Sequence, residues 1–135
     1  MLFTLVIHAA PHSLLGGTAY NAFQFAQTLL QEGHSIYRLF FYGEGVNNLN
    51  AQTITPQGEF NLPGAWQALI NEHNIDSVVC IAAALRRGLL DEKEKARHQT
   101  QERILASNLL KGSELSGLGQ LIEATSKSDR TITFA

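Results

Sequence analysis

Cysteine is almost absent from this chain: among 135 residues only Cys80 carries a thiol. A single thiol excludes an internal disulfide, dithiol redox chemistry of the Cys-x-x-Cys type and any thiolate metal cage. Charge is also sparse, with 10 Lys and Arg against 12 Asp and Glu, a net charge of −2 and 16% charged residues in all. Such a balance offers no basic surface for nucleic acid or for an anionic membrane. No apolar run approaches the roughly 20 residues of a membrane span. The apolar stretch Met1 to Ile7 is short and lacks a basic flank and a cleavage site, so it reads as a first strand and not as a signal peptide. The expectation is one cytoplasmic domain over residues 1–135, in a reducing compartment, with no cofactor and no metal.

What is present alternates between strand and helix signals. Leu2 to Ile7 is a continuous apolar run, as in a strand covered on both faces. Thr18 is placed to cap a helix with its apolar stripe at Ala19, Ala22, Phe23, Ala26, Leu29 and Leu30, and Gly33 supplies its stop. Ile36 to Tyr42 reads as a second strand and Val46 to Asn61 as a long polar loop with room for one short turn of helix. A second helix spans Leu62 to His73, with Pro63 in its first turn, where a missing N–H costs little. The Cys80 strand follows. Asp91 to Arg103 mixes charges of both signs at helical spacing and reads as a solvated helix or mobile excursion. Ser116 is placed to cap a last helix carrying Leu118, Leu121, Ile122 and Ala124, and Thr131 to Phe134 forms a terminal strand.

This order predicts an α/β three-layer sandwich: a mostly parallel sheet of four to five strands with helices on both faces, in a flavodoxin-like arrangement. Ligands and chemistry gather outside the carboxyl ends of strands in such sheets, so Cys80 falls on the edge where function is expected. Free cysteine often serves as a small buried hydrophobe. The competing reading is a reactive thiolate reachable from solvent. Arg86 and Arg87 follow Cys80 closely, and nearby cations lower a thiol pKa from roughly 8.5 toward neutrality. The other candidates are weaker. Gly16-Gly17-Thr18 lacks the full spacing of a phosphate loop, His8 and His12 lack further metal ligands, and Trp66 fits an apolar helix face. His34, His73 and His98 carry no signal.

Several segments resemble the DsrE-like sulfurtransferases, in particular their TusD-type sulfur-relay subunits. They are Phe23-Gln24-Phe25-Ala26-Gln27, Glu32-Gly33-His34, Phe40 to Val46, Leu115 to Ala124 and, most specific of all, Cys80-Ile81-Ala82-Ala83-Ala84-Leu85-Arg86-Arg87-Gly88. The loop Ala9 to Gly17 departs from that pattern, and Lys93 to Arg103 is longer than usual. The resemblance implies a sulfur carrier that holds sulfane sulfur as a persulfide on Cys80, destined for 2-thiolation of the wobble uridine of certain tRNAs. It also implies TusB- and TusC-like sister subunits in a heterohexamer, a TusA-like donor and a TusE-like acceptor. Arg86 and Arg87 stand as thiolate-stabilising candidates. Two other readings remain open: a DsrE-type carrier in dissimilatory sulfur oxidation, and a non-catalytic flavodoxin-like binding or scaffold subunit. A chain with 44% apolar and 16% charged residues, where charge is typically about a quarter, leans slightly toward oligomerisation.

Overall fold

In the computed structural model, residues 1–11 and 17–135 are described. His12 of the histidine pair and Gly16 of the glycine loop lie outside them. The element order is β1 (Leu2–Ile7), α1 (Thr18–Gln31), β2 (Ser35–Phe41), a 3-10 helix (Gly43–Leu49), α2 (Leu62–His73), β3 (Ser77–Cys80), α3 (Ile81–Arg86), α4 (Glu92–His98), β4 (Glu114–Ser116), α5 (Gly119–Lys127) and β5 (Arg130–Phe134). The strands form a 5-stranded sheet in the order β4-β3-β2-β1-β5, with every neighbouring pair parallel. From β1 to β4 the chain steps in one direction across the sheet, then crosses back to set β5 beyond β1. Right-handed crossovers place helices on one face while the direction holds and on the other face once it reverses. So α1 and α2 share a face and α5 covers the opposite one, the three layers expected from the sequence.

Side-chain alternation confirms the layering. Phe41 of β2 packs edge-on against Trp66 of α2, ring centroids 5.4 Å apart, and Trp66 meets Phe23 of α1 at 5.3 Å. Trp66 is fully buried, as its place on the apolar stripe required. Arg38, three residues earlier in β2, points the other way and binds Glu123 of α5 at 2.7 Å.

The local departures from expectation have identifiable causes. Thr18 is the first helical residue and not the cap: Gly17 takes that place and makes no side-chain bond to the helix. Gly33, at φ +84°, ends the first helix region as predicted. The stretch after β2 is not a polar loop at its start. Gly45 lets the 3-10 helix pass against β1, for a Cβ there would lie 1.9 Å from the Ile7 carbonyl oxygen. Val46, Asn48 and Leu49 are consequently buried, and Asn48 Nδ2 donates to the carbonyls of Ala9 (2.9 Å) and Gly45 (2.8 Å). Ser116 caps no helix. It lies in β4 opposite Cys80, and α5 begins later, after Leu118. Three residues are too few for periodicity to register; pairing to Val78–Cys80 is what makes them a strand. No described helix is long and apolar enough to cross a membrane.

Candidate functional site

Cys80 is the last residue of β3, and α3 begins at the next residue with no intervening loop. The strand is buried throughout, because β2 and β4 flank it and helices lie over it. Cys80 as a residue is only 3% exposed, which corrects the expectation that it is directly reachable from solvent. It instead lines a cavity of about 430 Å³ together with Tyr42, Ala83, Arg86, Arg87 and Leu118. Both sequence-predicted arginines are therefore brought to the Cys80 cavity, but in different states. Arg87 is engaged: Nε and Nη2 donate to Glu44 Oε1 at 2.9 and 2.7 Å, and Nη1 donates to the Ala83 carbonyl at 3.0 Å. That fork pins the 3-10 helix to α3 across the cavity. Arg86 is exposed and has no ion-pair partner among the described residues.

Tyr42, Gly117 and Leu118 were not singled out by sequence reasoning. Phe41 pairs with Val79 across the β2–β3 ladder, so Tyr42, one residue further on, lies alongside Cys80. His8 stands alongside Tyr42 in turn, since Ile7 pairs with Phe41, and the two rings meet edge-on at 4.8 Å. On the other side Cys80 pairs with Ser116. One row across the carboxyl edge of the sheet thus reads His8, Tyr42, Cys80, Ser116, all on the α5 face. The signal that finds Tyr42 is positional: it ends the strand next to the cysteine strand and precedes Gly43, where the chain turns at φ +54°.

The remaining candidates do not join the site as proposed. His8 is occupied with Tyr42, and no group of three or more His, Cys, Asp or Glu residues able to hold a metal occurs among the described residues. His34 takes the N-terminal amine at 3.1 Å and packs against Phe3. His98 contacts the buried carboxylate of Glu94 at 3.1 Å. The Asp91 to Arg103 run does contain a helix, α4, mostly exposed as expected. Its far end helps to wall a second cavity of about 480 Å³, lined by Leu85, Leu90, His98, Arg103 and Ile104, which holds no thiol.

The α5 face is held by an ion network. Arg38, 7% exposed, donates to Asp76 through Nε (3.0 Å) and Nη2 (2.5 Å), and to Glu123 (2.7 Å) and the Gln120 carbonyl (2.8 Å) through Nη1. The Tyr37 hydroxyl donates to the other Glu123 oxygen. That bond, with the Arg38 guanidinium adding to it, holds the Glu123 carboxyl below the usual carboxylate range, and it raises the Tyr37 phenol above its ordinary value.

The DsrE/DsrF-like family matches residues 1–134. This chain belongs to that family. It is 43% identical over 134 residues to the sulfurtransferase TusD homolog of Pseudomonas aeruginosa, covering 99% of this chain and 97% of the other. It is 40% identical over 134 residues to a protein of Allochromatium vinosum that carries the name DsrE, with 99% and 98% covered. The crystal structure of the ychN protein from E. coli superposes with a TM-score of 0.73 over 98% of this chain and 97% of that one, at 20% identity, and so shares the fold. Full-length relationship to named sulfurtransferases makes sulfur transfer the activity of this chain.

Proposed function

We propose that Cys80 carries sulfane sulfur as a persulfide, relaying it between proteins toward 2-thiolation of the tRNA wobble uridine. One observation carries the reading: the only thiol of a sulfurtransferase chain lines a cavity at the carboxyl edge of a parallel sheet, beside two arginines and a tyrosine. A protein with one thiol has no internal donor or resolving thiol, so it takes its sulfane sulfur from another molecule and gives it to another nucleophile. In loading, the Cys80 thiolate attacks the outer sulfur of a donor persulfide; the new S–S bond forms at Cys80 as the donor's S–S bond breaks, and the donor leaves as a thiolate. In unloading, an acceptor thiolate attacks the outer sulfur and Cys80 departs as the thiolate. Neither step has net oxidation or reduction, and both follow thiol–disulfide exchange, whose rate depends on thiolate fraction, leaving group and access.

Access is the term that the burial of Cys80 controls. Arg86, at the cavity and without an ion-pair partner among the described residues, is the group we assign to balance negative charge on the reacting sulfurs. Arg87, committed to Glu44, shapes the wall. The assembly that follows from this reading has TusB- and TusC-like sisters in a heterohexamer, a TusA-like donor and a TusE-like acceptor.

Incubation with a persulfide donor should add about 32 Da, the mass of one sulfur, and Cys80→Ser should abolish the addition. Sulfinic acid adds nearly the same mass but resists thiol reductants, so the addition must also be lost to a reductant. A wild-type chain left unloaded where a control carrier loads would sink the proposal. A second reading, a DsrE-type carrier in dissimilatory sulfur oxidation, rests on the family resemblance and on the 40% identity to the A. vinosum protein named DsrE. A deletion strain that keeps its full 2-thiouridine content would select that reading.

A further inference from the structure

Outside the mouth of the Cys80 cavity lies a surface that sulfur chemistry alone does not require. Leu118 lines the cavity and is 46% exposed, and Ile122 is 69% exposed. The Ile122 amide donates to the Leu118 carbonyl at 3.1 Å, so the two stand one helical turn apart and form an apolar ridge about 6 Å long leading away from the opening. Gly117 and Gly119 flank Leu118. A Cβ on either would meet nothing within 4 Å, and neither has a positive φ, so neither packing nor backbone conformation demands glycine there. Bare backbone over open space leaves room for another backbone to approach closely. Across the mouth stands Arg86, exposed and unpaired among the described residues, in a chain whose net charge is −2.

We infer that the Gly117–Leu118–Gly119 bend, Ile122 and Arg86 form the docking surface for a protein segment that presents its reactive cysteine between an aliphatic side chain and a carboxylate. The inference rests on Cys80 as the sulfur-carrying residue. The aliphatic residue covers Leu118 and Ile122, and the carboxylate meets Arg86. A polypeptide is the occupant, because a small persulfide would fill the cavity and meet Arg86 and Leu118 without reaching Ile122. The charge preference is local: the chain as a whole repels anions, so only a segment seated at the mouth gains from Arg86. With Cys80 only 3% exposed and lining the cavity, the partner's sulfur must enter the cavity, and a seated segment aims it.

The test compares four donors loading Cys80 in the full-length chain, followed by mass spectrometry against time. Three are cysteine-persulfide peptides with leucine flanks and, respectively, acidic, neutral or basic neighbours; the fourth is glutathione persulfide. The acidic peptide should load about tenfold faster than the basic one at low ionic strength, with the gap closing as salt screens it. Arg86→Glu should invert that order. Ile122→Asn should slow all three peptides several-fold and leave glutathione persulfide unchanged. Both substituted positions are exposed, so the fold tolerates the changes. Peptide rates independent of charge in the wild type, an acidic preference that survives Arg86→Glu, or equal slowing of glutathione persulfide in the Ile122→Asn variant would each overturn the docking surface. Absence of loading by all four donors would instead remove the carrier role of Cys80, and the docking inference with it.

Discussion

The two faces of the sheet are built on different physics. On the α1–α2 face, Phe23, Phe41 and Trp66 interlock edge-to-face, and α1 alone buries Ala19, Ala22, Phe23, Ala26 and Leu29. On the α5 face the cover is a helix of 9 residues in which only Ala124 is buried, tied down by Arg38, Tyr37 and Glu123. Apolar burial holds the first face with a strength that is indifferent to salt and pH, whereas a charged latch responds to both. The thinly covered face is also the one on which Cys80 lies. On the proposed carrier reading, the face that partner proteins approach is the one without the deep core.

Substitutions can break that comparison, and Trp66→Ala should have the largest effect. Removing a fully buried indole from between Phe23 and Phe41 should cost about 3–5 kcal/mol in denaturant unfolding. The loss should be the same in low and high salt. Arg38→Met should cost less, about 1–3 kcal/mol, because Asp76 and Glu123 are 44% and 41% exposed and water takes up the charges left behind. Unlike the Trp66 loss, this one should shrink as salt rises. Equal salt dependence of the two losses would contradict the division between the faces.

The pH profile sharpens the same contrast. Glu123 is held below the usual carboxylate range, first by the Tyr37 hydroxyl and then by Arg38. Its contribution is therefore present in full above the ordinary Glu value of about 4.3 and is lost as pH falls through the depressed folded value. The stability gap between wild type and Arg38→Met should narrow in that acid range, while the Trp66→Ala gap stays flat. The Tyr37 phenol is raised by its bond to Glu123, so the protonated form holds the latch. That contribution is present below about pH 10 and is lost as pH rises through the elevated folded value, and Tyr37→Phe should remove the alkaline arm. Smallest of all, Ile122→Ser should change stability by no more than about 0.5 kcal/mol, since its side chain is largely in water. A larger loss would mean that α5 depends on apolar packing after all.

Much of this architecture was legible because it is local. The stripe of Ala19, Ala22, Phe23, Ala26 and Leu29 and the Pro63 start of the second helix announce themselves at helical spacing. The uncharged run into Cys80 announces a buried strand ending at the functional edge. What escaped was short or non-local. Glu114–Ser116 has no periodicity to read, so Ser116 resembled a cap. The buried start of the supposed loop depends on Gly45 lying against Ile7, in a different strand. Tyr42 and Leu118 reach Cys80 only through strand register and the crossover before β5.

By itself the sequence determined the alternation of β1, β2, β3 and β5 with the longer helices, the single thiol and the absence of an internal resolving partner, because these follow from composition and from side-chain spacing along one segment. Only the tertiary structure decided that the thiol is buried beneath a cavity, that Arg87 is committed to Glu44, 43 residues away, and that Arg86 is left unpaired among the described residues. Burial and charge pairing are set by what the neighbouring strands and helices bring up in space, and a parallel sheet assembles its carboxyl edge from residues that lie far apart along the chain.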